Sequence, residues 1–225
     1  MKLSSYFQSG YNFQCFKPKT TTDVKKLVIL IHGWGVRGDS MRKFAEFLTA
    51  QNFTVYNYDY PSSQNNIAEH AKIFLEQFRK LNIESDTRIH FATHSMGGLI
   101  LRSAMLQMSE SECKQIQNIV MLGPPNKGSF WGRFGDNKIV RKFNRSLGDM
   151  SDLPHSFVNQ LPMPEYFPPT LIIGGTRDGK VAKKNLPLPN EVNHRIIMVK
   201  SSHPGLRFSA EAMNLTCRFF ENSET

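Results

Sequence analysis

The chain has 225 residues, 40% of them hydrophobic, with 28 Lys and Arg against 19 Asp and Glu for a formal charge of +9. That length suits one α/β domain with its own core, and the apolar content excludes disorder over most of it. The basic excess favours anionic partners, but the cations are scattered and accompany no nucleic-acid motif, so nucleic acid is not an expected partner.

The three cysteines, Cys15, Cys113 and Cys217, are far apart and odd in number. They form neither a disulfide framework nor a metal pattern, and point to a reducing compartment. No stretch has the length of a signal peptide or a membrane span, so a cytoplasmic location is expected.

Residues 1–26 show no clear period and read as an irregular arm, with room for a short edge strand over 11–16. Residues 27–225 read as a single domain. Its first strong element is the apolar run LVILI at 27–31, of the kind buried on both faces of a parallel sheet. It ends in the glycine-rich loop His32-Gly33-Trp34-Gly35. Asp39 or Ser40 is placed to cap the next helix, whose Met41, Phe44, Phe47 and Leu48 share one face.

A strand over 54–58 ends at Asp59-Tyr60-Pro61. Ile67, Ala71, Phe74, Leu75, Phe78 and Leu81 then predict an amphipathic helix over 65–81. Further strands are expected at 88–92, 118–122, 170–173 and 195–199, with helices at 99–110 and 206–220. The stretch from 126 to 169 is rich in Pro and aromatics and reads as a lid-like insertion, with one helix near 137–147. Six strands alternating with helices, joined by connections long enough for right-handed crossovers, predict a doubly wound, mostly parallel α/β sheet. In such sheets function sits at the carboxyl ends of the strands.

The segment RIHFATHSMGG at 88–98 passes from strand to helix through one sharp turn with a serine at the bend. Such a turn strains the serine backbone and needs small neighbours, as in G-x-S-x-G, although here Thr93 takes the first small position. Ser95 then stands at a helix N-terminus, where N–H groups favour a developing negative charge. A serine nucleophile needs a base, a carboxylate to orient that base, and oxyanion donors.

Among the seven histidines, His203 closes the last strand and is the preferred base. His70 and His90 read as structural, and His94 is expected to point away from Ser95. Asp178 in GTRDGKV is the preferred carboxylate, with Asp59 its structural rival, and Asp149 and Asp152 read as solvated or capping groups. The order Ser95, Asp178, His203 matches one known triad order. The backbone N–H groups of Met96 and Trp34 are the expected oxyanion donors. No cofactor or metal is expected.

With His32-Gly33-Trp34-Gly35, Tyr60-Pro61-Ser62, Thr93-His94-Ser95-Met96-Gly97-Gly98, the run from Leu122 to Ser129, and Asp178-Gly179-Lys180-Val181, the sequence resembles the α/β-hydrolase superfamily. More narrowly it resembles compact bacterial lipase/esterase-like hydrolases, related to the GPI inositol-deacylase-like and triacylglycerol-lipase-like branches. The resemblance runs from about residue 27 to 220. It implies the α/β-hydrolase fold with about six core strands and a small partial lid, the triad Ser95, Asp178 and His203, and the donors Trp34 and Met96. The acid loop is shorter than in many relatives, because Arg177 and Asp178 adjoin.

The expected function is cleavage of carboxylic esters through an acyl-enzyme, on a small-molecule ester or a lipid. Two alternatives stay open. One is a lipase or phospholipase whose basic amphipathic segment over 133–147 associates weakly with anionic membranes. The other is a non-catalytic binding protein on the same fold.

Overall fold

The computed structural model describes residues 10–19, 26–189 and 191–222. Seven strands form one sheet in the order β1-β3-β2-β4-β5-β6-β7. They are β1 (Asn12–Phe16), β2 (Lys26–Ile31), β3 (Thr54–Asp59), β4 (Arg88–His94), β5 (Ile116–Leu122), β6 (Thr170–Gly175) and β7 (His194–Val199). β1 is antiparallel to β3 at the sheet edge, and every other pair is parallel. The sheet is thus the expected six parallel strands, with the short edge strand for which residues 11–16 left room added antiparallel as β1.

The helices are α1 (Arg42–Ala50), α2 (Ile67–Lys80), α3 (Met96–Met105), α4 (Glu110–Gln115), α5 (Lys138–Phe143), α6 (Phe157–Gln160) and α7 (Ala210–Glu221). Side chains alternate along a strand, so β2 sends Ile29 and Ile31 to one face of the sheet and Val28 and Leu30 to the other. The first pair packs with Phe74 of α2 and Leu99 and Ile100 of α3. The second packs with Phe44 of α1 and with Met213 and Phe220 of α7. This double burial explains why LVILI is apolar without interruption.

Several expected helices differ in extent. The helix after Ser95 stops at Met105 rather than running to about 110, because Ser109 and Glu112 form a capping box that starts α4 afresh. Likewise Asn66, with Glu69, caps α2. The helix expected over 137–147 spans only Lys138–Phe143, with the Asn137 side chain at its N-terminus and Asn144 off helical geometry at its end. The closing helix is divided into a 3-10 turn at Pro204–Phe208 and α7, which Ser209 caps. Neither Asp39 nor Ser40 caps α1, whose N-cap is Met41, and Asp39 instead accepts from the Arg42 guanidinium at 2.8 Å.

The topology fixes where a ligand can sit. From β2 the chain steps to β3 on one side, whereas from β4 it steps to β5 on the other. The adjacent carboxyl ends of β2 and β4 therefore form the switch-point crevice of the sheet. They carry His32-Gly33-Trp34 and His94-Ser95 respectively.

Candidate active site

Ser95 follows β4 directly and precedes the first residue of α3. Its backbone is at φ 52°, ψ −122°, a region that side-chain-bearing residues rarely occupy and that must be held by its surroundings. Its N–H donates to Leu122 O at 2.8 Å and its carbonyl accepts from Gly98 N–H at 3.1 Å. A Cβ at Gly97 would collide with Ile31 O and lie 2.7 Å from His32 O, so only glycine lets α3 pass this close to β2. Thr93 fits the first small position because its hydroxyl donates to Val120 O at 3.4 Å. Gly98 leaves that hydroxyl room, since a Cβ there would sit 3.2 Å from it.

His203 and Asp178 come together from the loops after β7 and β6. The Nδ1 of His203 lies 2.7 Å from Oδ2 of Asp178. The other carboxylate oxygen accepts the N–H groups of Lys180 at 2.8 Å and Val181 at 2.9 Å. Burial alone would raise the Asp178 carboxyl, but the His203 hydrogen bond and charge and the two backbone donors outweigh it, holding the carboxyl below its ordinary value. With Nδ1–H committed to the carboxylate, Nε2 is the basic nitrogen of the ring. The short acid loop reaches because its backbone continues the β6–β7 pairing, with Thr176 N–H on Val199 O at 2.8 Å and Arg177 N–H on Ser201 O at 3.0 Å.

Ser95, His203 and Trp34 line one cleft of about 500 Å³, with Val36, Trp131, Met150 and Val181 among its apolar walls. Met96, as the first residue of α3, has an N–H without an intrahelical acceptor. The Trp34 indole donates to Asn144 Oδ1 at 2.7 Å, which ties its loop to the end of α5. That loop is also held by Gly35 N–H on Ser62 Oγ at 2.9 Å.

Asp59, the rival carboxylate, is engaged elsewhere. It accepts from Gly38 N–H and from Arg37, each at 2.7 Å. Burial opposes its ionisation, but His32, Arg37 and Gly38 together keep its carboxyl well below the ordinary range. His32 is structural as well: its Nδ1–H donates to Gly33 O at 2.8 Å, Nε2 accepts from Tyr60 N–H at 3.3 Å, and the two rings stack at 4.1 Å. Asp149 accepts from Ile67 N–H at the start of α2 at 2.8 Å, and Asp152 pairs with Arg133 at 2.6 Å.

Two residues that pack against His203, His94 and Gly123, carry no local sequence signal for that placement. His94 was expected to point away, yet it lines the cleft. Its Nε2–H donates to the carbonyl of His203 at 3.0 Å and its ring lies 4.8 Å from the His203 ring. Complete burial, with the nearby His203 and Arg207 charges, keeps His94 neutral. Strand alternation puts it on the face of Ala92, against which the His203 loop packs through Leu206. Gly123, at φ 57°, makes room for the His203 ring, since a Cβ there would lie 3.1 Å from His203 Nδ1.

Among the described residues no group of three or more His, Cys, Asp or Glu could hold a metal ion, and no helix is long and apolar enough to cross a membrane. Residues 21–125 match the model of a family described as putative serine esterase, DUF676. No curated protein matches by sequence.

Solved structures with a similar fold include the mature lipase BlEst2 of Bacillus licheniformis, at TM-score 0.74 and 14% identity, covering 93% of this chain and 96% of that one. The type II thioesterase YbtT of yersiniabactin biosynthesis superposes at TM-score 0.67 and 12% identity, over 94% and 99% of the two chains. Est1E of Butyrivibrio proteoclasticus does so at 0.65 and 16%, over 96% and 99%. Sheet order, the strand-turn-helix elbow and these structural matches show a fold of the α/β-hydrolase kind, and the match to the putative serine esterase family covers residues 21–125.

Proposed function

We propose that the protein hydrolyses carboxylic esters through an acyl-enzyme, with Ser95 as nucleophile, His203 as general base and Asp178 orienting the imidazole. The observation that carries this reading is a serine at a strained strand-to-helix elbow sharing one cleft with a histidine whose Nδ1 sits 2.7 Å from a buried carboxylate. Ser95 Oγ attacks the ester carbonyl while His203 Nε2 takes its proton. The tetrahedral oxyanion accepts the backbone N–H groups of Met96 and Trp34. His203 then protonates the departing alcohol, and the same histidine activates the water that releases the acid and restores Ser95. Asp178 stays ionised and stabilises the imidazolium in each half.

The lid-like stretch over 126–169 favours a second version, lipid esters at a membrane. Ile139 and Phe143 on α5 are 73% and 74% exposed, next to Lys138, Arg141 and Lys142. Such a face binds anionic bilayers weakly. The three free cysteines fit a reducing, cytoplasmic setting.

A series of 4-nitrophenyl esters of rising chain length tests the activity, with Ser95→Ala as control. Turnover by the native chain that Ser95→Ala abolishes supports the reading, and equal turnover by both removes it. Turnover that rises on anionic vesicles and falls with salt selects the lipid version. Absence of both turnover and labelling by a fluorophosphonate selects the binding protein.

A further inference from the structure

We propose that Arg207, assisted by Lys180, forms an oxyanion subsite inside the cleft, so that the molecule bound beside Ser95 carries a carboxylate or phosphate group. The inference rests on the ester-hydrolase reading for the role of that molecule. Arg207 and Lys180 are the only permanently charged side chains among the residues lining the cleft, and no carboxylate lines it. Arg207 lies four residues beyond His203, in the 3-10 turn Pro204–Phe208. Whatever it binds therefore sits close to the reacting centre.

The guanidinium of Arg207 is built in rather than left at the surface. The residue is only 6% exposed. Its Nε donates to Pro204 O at 3.3 Å, and the group lies over the Phe208 ring, 5.3 Å from the centroid. Its buried Nη1 has no hydrogen-bond partner, and no carboxylate pairs with it among the described residues. Other arginines do pair: Arg37 with Asp59, Arg79 with Glu112, Arg145 with Glu69. Arg102, also buried, spends both Nη groups on oxygens of Asn126 and Leu161.

A buried cationic donor without an acceptor is costly, and a ligand oxyanion would supply the missing acceptor. The planar fork suits a carboxylate or a phosphate, which can take two N–H groups at once. The apolar walls of the cleft exclude water and strengthen that pairing. Lys180 holds its ammonium over the Trp131 ring, 4.1 Å from the centroid, at the rim. There it adds a second, solvated charge.

The test is equilibrium binding of hexyl phosphate, hexanoate and hexanol to the full-length Ser95→Ala protein by calorimetry. The proposal expects at least one anion to bind about tenfold to a hundredfold more tightly than hexanol, and the stronger of the two identifies phosphate or carboxylate as the group. Arg207→Gln should bring that preference close to one, while Lys72→Gln, which removes an exposed charge on α2, should leave it intact. Lys180→Gln should reduce the preference about threefold, and it carries the test should Arg207→Gln fail to fold.

No preference in the parent, or a preference that these cleft variants leave intact, overturns the subsite. Fluorophosphonate labelling of the native chain separates the two readings. Labelled Ser95 without anion preference leaves the hydrolase and removes the subsite. Anion preference without labelling upholds the subsite and removes the hydrolase.

Discussion

The strand-end loops around Ser95 and the insertion over 126–169 line the same cleft by opposite means. Each loop of the first group is clamped to the sheet by backbone hydrogen bonds: Ser95 N–H to Leu122 O, Gly123 N–H to Ile173 O, Thr176 N–H to Val199 O. The insertion has no strand. It is built from 3-10 turns at Phe130–Asp136 and Gly148–Met150 and two helices of six and four residues. It leaves Phe130, Trp131, Phe134, Ile139 and Phe143 exposed. Position is fixed where a rigid sheet supplies it, whereas the outer wall of the cleft is held by a few side-chain ties.

The comparison breaks most visibly on the sheet side. Asp178→Asn would leave the loop in place but remove the charge that orients and stabilises His203. It should lower kcat/KM on a soluble ester by about 10³–10⁴-fold, with the urea midpoint checked in parallel. A loss below about tenfold would mean that Asp178 is not the orienting carboxylate.

The next effect is one of pH. His90 on β4 is buried with no hydrogen-bond partner on either ring nitrogen, and stacks on Phe220 at 4.6 Å. Burial, with Lys26 and Arg88 adding to it, lowers it from 6.5 to about 4. Because the folded value is the lower one, the unfolded chain takes up the proton first. Stability is therefore complete above pH 6.5 and declines as pH falls toward 4, by about 3 kcal/mol from this residue. His70, lowered to about 4 mainly by burial, contributes with the same sign. His90→Phe should flatten this slope in urea titrations at pH 7 and pH 5, and an unchanged slope would exclude His90 as its source.

Smaller effects probe the insertion. Asp149→Ala would leave the Ile67 N–H unsatisfied and cut one tie between the insertion and α2, at a cost of about 1–3 kcal/mol. Thermal unfolding would show it, with the esterase site still able to react. Phe143→Ser, at an exposed position, should change stability by less than about 0.5 kcal/mol while weakening binding to anionic vesicles. A large loss of stability there would show that α5 packs more tightly than its exposure indicates.

The same contrast explains what could be read from sequence. The six parallel strands were legible because burial gives each a stretch rich in apolar residues, most complete in β2, and Ser95, Asp178 and His203 stood out because each follows such a stretch. The capping box at Ser109 and Glu112 was equally visible in the residues, but the apolar period across it concealed the break. β1 was only partly legible, because an edge strand with exposed residues lacks the apolar signal. The orientation of His94 depends on which face the His203 loop packs against, and the lack of an acceptor at Arg207 Nη1 depends on which carboxylates fold near it. Neither is a local property. In the insertion, side-chain ties such as Trp34 to Asn144 and Asp149 to Ile67 span 110 and 82 residues, and no periodicity announces them.

Labelling by a fluorophosphonate, read by intact mass and peptide mapping on the native chain and on Ser95→Ala and His203→Ala, tests the central claim most directly. One adduct is expected, on Ser95, absent from Ser95→Ala and formed far more slowly in His203→Ala. An adduct at another residue, or equal labelling with and without His203, would contradict it.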